Sequence, residues 1–236
     1  MKIFKKIHYG LYMVFLRLKG IKLFWIRKIK GEEAADKYVE KVSMDWSKFT
    51  VNIIGIDLKI EGFENIPEGN CVFIGNHSSI LDIPILIHAA QRTVGLIGKK
   101  ELVKIPVVGY WMKQNHCIPL DRSNVREAMK VINQGVDYIK QGYTMGVFPE
   151  GTRNKDGEVG EFKKGSLKLA TKAKAILVPV AIDRASRCFE QDREFKAEEV
   201  RVVFCKPIDT KDITKEEEKT LTDRVRTEIV KVLEQN

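Results

Sequence analysis

Acidic residues are absent from the first 31 residues of the chain, although this segment contains nine lysine and arginine residues. Residues 32–236 carry equal numbers of cationic and acidic side chains, so the net charge of +9 resides in the N-terminal segment. A nucleic-acid-binding domain would instead spread its positive charge over the surface that contacts the phosphates. The distribution predicts no nucleic-acid partner and indicates a basic segment attached to a neutral body.

Cysteine and histidine are scarce, with four of each in 236 residues. No two cysteines form a C-x-x-C pair, and a chain of this length does not depend on a disulfide framework, so a reducing compartment is the simplest interpretation. No spaced set of histidine, cysteine and carboxylate residues has the pattern of a metal site. We therefore predict that no metal is bound.

Long apolar runs are missing from the N-terminal segment. Its longest uncharged stretch is Tyr9–Leu16, which is too short to cross a bilayer. A signal peptide is disfavoured because cations follow this stretch directly, where a cleavage site would require small residues.

The same segment does have the pattern of an amphipathic helix, because aliphatic residues recur every three or four positions among aromatic residues and cations. The aliphatic residues on the shared face are Ile7, Leu11, Val14 and Leu18. The pattern favours a helix that lies in the headgroup region of a membrane, or two such helices with a bend at Gly20. A helix packed on the chain's own domain is the alternative.

The rest of the chain alternates short apolar strands with helical stretches, which predicts an α/β fold with a mostly parallel or mixed central sheet flanked by helices. We expect an N-terminal helical membrane-surface segment over residues 1–54, including a bridging helix over residues 33–54, and an α/β domain over residues 55–236. The predicted strands are LKIEGF, CVFIG, TVGLIG, CIPL, TMGVF, ILVPVAI and VRVVFC. The predicted helices are Asp82–Ala90, parts of Glu101–Lys113, Asn124–Gln141, Gly165–Lys174 and Thr214–Leu233.

Reactive side chains follow the predicted strand CVFIG, and ligands of such sheets bind at the carboxyl ends of strands. The stretch NHSSILD places His77 shortly before Asp82, which begins the next predicted helix. A carboxylate that accepts from one imidazole nitrogen leaves the other nitrogen free as a general base. A capped turn, in which His77 is only a solvated loop residue, is the simpler alternative.

Cationic groups follow three further predicted strands. The polar turn of FPEGTRN, which suits a phosphate or a phosphate ester, comprises Glu150, Gly151, Thr152 and Arg153. CIPLDRS supplies Arg122, and GKKEL supplies Lys100. Because the strand ends of one sheet lie close together, these motifs describe a base beside a cationic pocket.

Two other chemistries fit the sequence poorly. GEFKKGS, residues 160–166, resembles a phosphate-binding P-loop but lacks the lysine after the second glycine. Ser78 and Ser79 lack the G-x-S-x-G turn of an activated nucleophile, and their adjacency to His77 gives poor geometry for a triad. Neither a P-loop nor a serine nucleophile is therefore predicted.

The ordered motifs resemble those of the glycerolipid acyltransferases, most closely the 1-acyl-glycerol-3-phosphate acyltransferases. NHSSILD resembles the H-x-x-x-x-D box of that family, CIPLDR its second box, FPEGTRN its third, and ILVPVAI with Pro179 its fourth. GKKEL is similar to a lysine-bearing stretch between the first two boxes. The chain departs from the family pattern at His116, where relatives commonly have a glycine.

The resemblance implies acyl transfer from an acyl carrier protein or coenzyme A thioester to the sn-2 hydroxyl of lysophosphatidic acid, giving phosphatidic acid. It implies that His77 is the general base, that Asp82 orients it, and that the hydroxyl attacks the thioester directly without a cofactor. The substrate-binding residues that it implies are Lys100, Arg122, Glu150, Gly151, Thr152 and Arg153, with Asn76 and Pro179 in supporting roles.

The resemblance also implies a location and partners. It implies a peripheral or monotopic protein at the cytoplasmic face of the cell membrane. This protein would contact a phospholipid surface, preferably an anionic one. The other implied partners are a lysophospholipid acceptor and an acyl carrier protein or coenzyme A thioester. Two alternatives remain. One is an acyltransferase for glycerol-3-phosphate or another lysolipid, and the other is a non-catalytic lipid-binding protein.

Overall fold

The structure, a computed structural model, describes residues 2–121 and 125–235. The helices are α1 (Lys2–Lys30), α2 (Glu32–Ile54), α3 (Asp82–Ala90), α4 (Pro106–Gln114), α5 (Val125–Lys140), α6 (Lys168–Ala173) and α7 (Lys215–Glu234). The strands are β1 (Asp57–Glu61), β2 (Val72–Gly75), β3 (Gly95–Lys99), β4 (Ile118–Leu120), β5 (Met145–Val147), β6 (Ile176–Asp183), β7 (Glu199–Phe204) and β8 (Ile208–Asp209). The prediction of an α/β fold with a flanked central sheet is confirmed.

The sheet has the strand order β1-β7-β6-β2-β5-β3-β4, with β8 paired to β6. Strands β6, β2, β5, β3 and β4 all run parallel to their neighbours in this series. Strands β7 and β8 run antiparallel to β6, so the sheet is mixed. The carboxyl ends of five adjacent strands therefore open on one edge, where a ligand can be contacted from several loops.

Strand β2 lies between two apolar layers. Phe73 packs into the layer that contains α3 residues such as Ile85, whereas its neighbour Ile74 packs into the layer that contains Leu169 of α6 and Leu221 of α7. Successive strand side chains point to opposite faces, so a strand covered on both sides needs apolar residues at every position. This explains why CVFIG is continuously apolar.

Helix α1 is continuous, so the segment forms one helix rather than two helices with a bend at Gly20. The hydroxyl of Tyr110 in α4 donates to the carbonyl oxygen of Gly20 at 3.1 Å. A Cβ at position 20 would lie 2.9 Å from the Tyr110 ring, so the glycine admits the close approach of α4 rather than a change of direction. The chain turns instead at Gly31, whose φ of 84° is readily available only to glycine.

The two faces of α1 have different surroundings. Leu16 and Leu23 are buried against α2 and α4, where Trp111 donates its indole N–H to the Leu16 carbonyl oxygen at 3.2 Å. The predicted aliphatic face remains outside this packing and is more than half exposed at Ile7, Leu11, Val14 and Leu18. Within residues 2–121 and 125–235, no helix is long and apolar enough to span a bilayer.

Candidate active site

His77 and Asp82 meet at the carboxyl end of β2. The Asp82 Oδ2 atom lies 2.8 Å from His77 Nδ1, and the side chain of Asp82 is fully buried. The same oxygen accepts the backbone N–H groups of Ser78 and Ser79 at 2.7 and 2.8 Å. Asp82 therefore orders the turn and contacts the imidazole at once, although the N-cap residue of α3 is Leu81 and not Asp82.

The contact with Asp82 determines how the imidazole of His77 can react. An ionised carboxylate only accepts hydrogen bonds, so the neutral ring carries its proton on Nδ1 and keeps a lone pair on Nε2. The ring stacks on Phe148 with centroids 4.3 Å apart, and the His77 side chain is 15% exposed. Among the residues that the structure describes, Nε2 has no hydrogen-bond partner, and it can therefore accept a proton from a bound hydroxyl.

The backbone of His77 is held from both sides by the turn that follows β5. Glu150 Oε1 accepts the His77 backbone N–H at 2.7 Å, and the backbone N–H of Asn154 donates to the His77 carbonyl oxygen at 2.8 Å. Glu150 Oε2 accepts the backbone N–H of Gly160 at 3.1 Å. The Glu150 carboxylate is buried, and each of its oxygens accepts a backbone N–H group.

Burial raises the pKa of the Glu150 carboxyl above its ordinary value, although the backbone donors of His77 and Gly160 act in the opposite direction. Removing a carboxylate from water disfavours its charged form, whereas N–H donors favour it. The net direction shows that the loss of water outweighs the hydrogen bonds that Glu150 receives.

Asn76 and Pro179 fix the base of the site. The Asn76 side chain donates to the Ile182 carbonyl oxygen at 2.9 Å and accepts the Ile182 N–H at 2.8 Å. Asn76 thereby continues the pairing of β2 with β6 past the last ladder residue, Gly75. Pro179 lies opposite Ile74 within the same ladder. Both residues lie in the framework, and the two Asn76 hydrogen bonds join the start of the His77 turn to β6.

Gly151, Thr152 and Arg153 form an exposed or half-buried turn after β5. Gly151 has a φ of 70°, and a Cβ at this position would lie 2.8 Å from the Nζ atom of Lys163. Arg153 Nη1 donates to Glu190 Oε1 at 2.6 Å, and the Arg153 side chain remains 37% exposed. Two cations, Arg153 and Lys163, therefore stand beside one short turn.

Lys100 lies further along the same edge. It follows β3, which is separated from β2 by β5, so at the usual strand spacing the two strands are about 10 Å apart. Its Nζ atom donates to Asp121 Oδ2 at 3.4 Å, in an exposed pair. Arg122 lies outside the described residues.

Lys163 and Glu190 were not among the residues singled out from the sequence. Lys163 belongs to GEFKKGS, whose likeness to a P-loop does not mark this lysine, although a cation that follows FPEGTRN so closely is a usable signal. No local pattern marked Glu190, which lies after β6 and reaches the site through tertiary contacts.

The arrangement joins an imidazole with a free nitrogen to a group of cations at one open sheet edge. Such a site can remove a proton from a hydroxyl while it holds a phosphate near by. The described residues contain no group of three or more histidine, cysteine, aspartate or glutamate side chains arranged to hold a metal ion.

The sequence is similar to known proteins over the segment that forms this site. The family described as acyltransferase matches residues 57–183. A protein of Brassica napus named chloroplastic 1-acyl-sn-glycerol-3-phosphate acyltransferase is 35% identical over 153 residues, which cover 63% of this chain and 44% of that protein. A 1-acyl-sn-glycerol-3-phosphate acyltransferase of Borreliella burgdorferi is 31% identical over 189 residues, covering 79% of this chain and 76% of that protein.

A solved structure is similar over nearly the whole chain. It is the crystal structure of the 1-acyl-sn-glycerophosphate acyltransferase PlsC from Thermotoga maritima, with a TM-score of 0.80 and 29% sequence identity. The alignment covers 99% of this chain and 97% of that one. The likeness therefore includes the N-terminal helices as well as the sheet. The chain spans less than half of the Brassica napus protein but nearly all of the Thermotoga maritima one.

Proposed function

Because this chain belongs to the acyltransferase family, we propose that it transfers an acyl group from a thioester to the sn-2 hydroxyl of lysophosphatidic acid, giving phosphatidic acid. The resemblance drawn from the ordered motifs is confirmed at the level of the family, whose matched segment contains the motifs from NHSSILD to ILVPVAI. The names of relatives from Brassica napus and Borreliella burgdorferi support lysophosphatidic acid as the acceptor.

The observation that carries the proposal is the 2.8 Å contact between His77 Nδ1 and buried Asp82. In the proposed reaction Nε2 of His77 removes the proton from the acceptor hydroxyl as its oxygen attacks the thioester carbonyl carbon. The carbon–sulfur bond then breaks, and the thiolate leaves with the proton that His77 holds. An acyl carrier protein or coenzyme A thioester is a co-substrate, and the reaction as proposed uses no metal or cofactor.

The acceptor phosphate is proposed to bind at the turn after β5. Arg153 and Lys163 supply charge there: Lys163 lies next to Gly151, and Arg153 is held by Glu190. Lys100 is proposed to add positive charge further along the edge, and Arg122 is proposed to add positive charge to the acceptor site. We assign Glu150 a positioning role, since both of its oxygens accept backbone N–H groups and one of these belongs to His77.

The N-terminal segment over residues 1–54 is proposed to hold the α/β domain of residues 55–236 on the cytoplasmic face of a membrane. An exposed aliphatic face on α1 lies among cations, with no acidic residue before Glu32. A helix of this composition binds in the headgroup region and prefers anionic lipid. Both the acceptor and the product reside in that layer.

A donor-by-acceptor matrix tests the proposed activity. Purified full-length protein is incubated with acyl carrier protein or coenzyme A thioesters and with lysophosphatidic acid, glycerol-3-phosphate or lysophosphatidylcholine, and release of free thiol is measured. We expect the fastest release with lysophosphatidic acid and its near loss in His77→Ala. Equal rates for wild type and His77→Ala would refute the mechanism. Faster thiol release with glycerol-3-phosphate or lysophosphatidylcholine would refute lysophosphatidic acid as the preferred acceptor.

A further inference from the structure

Glu190 lies beyond the segment matched by the acyltransferase family, yet it touches two parts of the candidate site. Its Oε1 atom accepts from Arg153 Nη1 at 2.6 Å and from the backbone N–H of Ile80 at 2.8 Å. Ile80 stands between His77 and Asp82 in sequence. One carboxylate oxygen therefore connects the turn after β5 to the loop that carries the proposed general base.

The Glu190 side chain is well placed to fix these groups. It is only 6% exposed, whereas the Arg153 side chain is 37% exposed. The backbone N–H of Glu190 donates to the carbonyl oxygen of buried Ser186 at 2.9 Å, which anchors the carboxylate to the segment after β6. An exposed ion pair contributes little, but a buried carboxylate with two donors constrains both of its partners.

The ion pair between Arg153 and Glu190 also leaves Arg153 able to bind a ligand. A guanidinium has five N–H donors in a rigid plane, and the contact to Glu190 uses Nη1. Once one nitrogen is held, the orientation of the whole plane is restricted, so less freedom is lost when the remaining donors contact a phosphate. Arg153 without this carboxylate would keep its charge but lose its fixed direction.

We propose that Glu190 is a positioning residue for acceptor binding: it holds the Arg153 guanidinium at a fixed place relative to the His77–Asp82 loop, so that a phosphate bound by Arg153 brings its hydroxyl to His77. This inference rests on the proposed acylation of a phosphate-bearing acceptor. It adds the segment after β6 to the binding site, which otherwise uses, among the described residues, the loops after β2, β3 and β5.

The test is a double-mutant cycle on full-length protein, with KM and kcat measured for lysophosphatidic acid. Glu190→Ala is expected to raise KM about tenfold, the loss typical of one charge-assisted contact, with a smaller change in kcat. Glu190→Gln keeps an oxygen that accepts from both donors, so it should recover part of the loss. Arg153→Lys keeps the charge but removes the planar fork, and in that background Glu190→Ala should change KM less than about twofold.

Glu61→Ala is the matched control, because it removes the carboxylate partner of Arg201 at 2.7 Å on an outer pair of strands. It should leave KM unchanged. A full tenfold effect of Glu190→Ala in the Arg153→Lys background, or an equal fall in kcat for Glu190→Ala and Glu190→Gln with unchanged KM, would overturn the positioning role. Wild-type protein that does not acylate lysophosphatidic acid would instead overturn the proposed function, and this inference with it.

Discussion

The Oδ2 atom of Asp82 contacts His77 Nδ1 and two backbone N–H groups, whereas its Oδ1 atom has no hydrogen-bond partner among the described residues. Because only one oxygen is used, a substitution can remove the charge of the side chain and still keep the acceptor that the turn requires. An asparagine at position 82 can place its oxygen at the Oδ2 position and its amide nitrogen at the Oδ1 position. The three donors then keep an acceptor, while the imidazole loses its negative partner.

We therefore expect Asp82→Asn to fold but to lose roughly 10²–10⁴-fold in kcat, the usual contribution of a positioned base. Thiol release with lysophosphatidic acid measures the activity, and urea unfolding measures the stability. His77→Gln should lose activity to a similar extent, and the double variant should lose little more, because the two side chains act as one unit. If the loss of activity in the double variant equalled the product of the two single losses, His77 and Asp82 would not act as one unit.

Much of the fold could be predicted because its signals are local. Strand β2 is covered on both faces, and this burial requires the continuous apolar run CVFIG. Helix α7 begins with a capping box in which Thr214 and Glu217 satisfy each other's backbone, so its start is visible in sequence. Strand β8 has only two residues, Ile208 and Asp209, and owes its existence to its neighbour β6 rather than to its own composition.

The site could be predicted only in part, for a physical reason. His77 and Asp82 lie in one turn, so their convergence follows from a short connection between a strand and a helix. The direction of the Glu150 carboxylate depends on a backbone N–H from another loop, which no local pattern encodes. Glu190 reaches Ile80 across more than one hundred positions of sequence, and only the folded sheet brings them together.

Substitution of Gly151 tests the proposed phosphate site. Its φ of 70° disfavours any residue with a Cβ, and an added methyl group would lie 2.8 Å from Lys163 Nζ. Gly151→Ala is expected to cost about 1–2 kcal/mol of stability through backbone strain and to raise KM for lysophosphatidic acid about tenfold by displacing Lys163. Thermal unfolding and initial rates measure the two effects.

The matched control is Gly157→Ala, which carries the same strain at a φ of 92° with no lysine near its added methyl group. It should lower stability without changing KM. A comparable rise in KM in both variants would remove Lys163 from the phosphate site.

His116 lies at the opposite end of the sheet, and we expect its imidazole to make the stability of the protein depend on pH. The residue has a φ of 55° and stacks on Tyr143 with ring centroids 3.6 Å apart, beside a cleft of about 600 Å³ that Asp36 also lines. Burial lowers the pKa of His116, Asp36 acts against this shift, and Arg27 adds to it. Between the lowered pKa and the ordinary value of 6.5, the imidazole of His116 is protonated to a greater extent in the unfolded chain than in the folded chain.

The folded state is therefore expected to lose stability as the pH falls through this window. His116→Asn removes the titrating ring and tolerates a positive φ, so the free energy of unfolding should depend less on pH between about 7 and 5. His88→Gln provides a comparison, because burial lowers the pKa of that imidazole as well. Urea unfolding at a series of pH values measures both, and an unchanged slope in His116→Asn would contradict the prediction.

The exposed face of α1 predicts how the protein binds a membrane. Leu11 and Leu18 are 64% and 58% exposed, so their substitution removes little packing within the protein. Glutamine favours helices and adds no charge. Full burial of a leucine contributes about 1.5–3 kcal/mol, so the combined variant Leu11→Gln and Leu18→Gln should weaken vesicle binding at least about tenfold.

Vesicle sedimentation with phosphatidylglycerol-containing and phosphatidylcholine vesicles, at low and high salt, separates the apolar and electrostatic contributions. Wild-type protein should prefer the anionic vesicles, and this preference should decrease with salt because exposed cations are screened. Ile60→Gln with Phe63→Gln is the matched control, because these exposed apolar residues lie in and after β1, outside α1. If the control weakens binding as much as the α1 variant does, then α1 is not the surface that contacts the lipid.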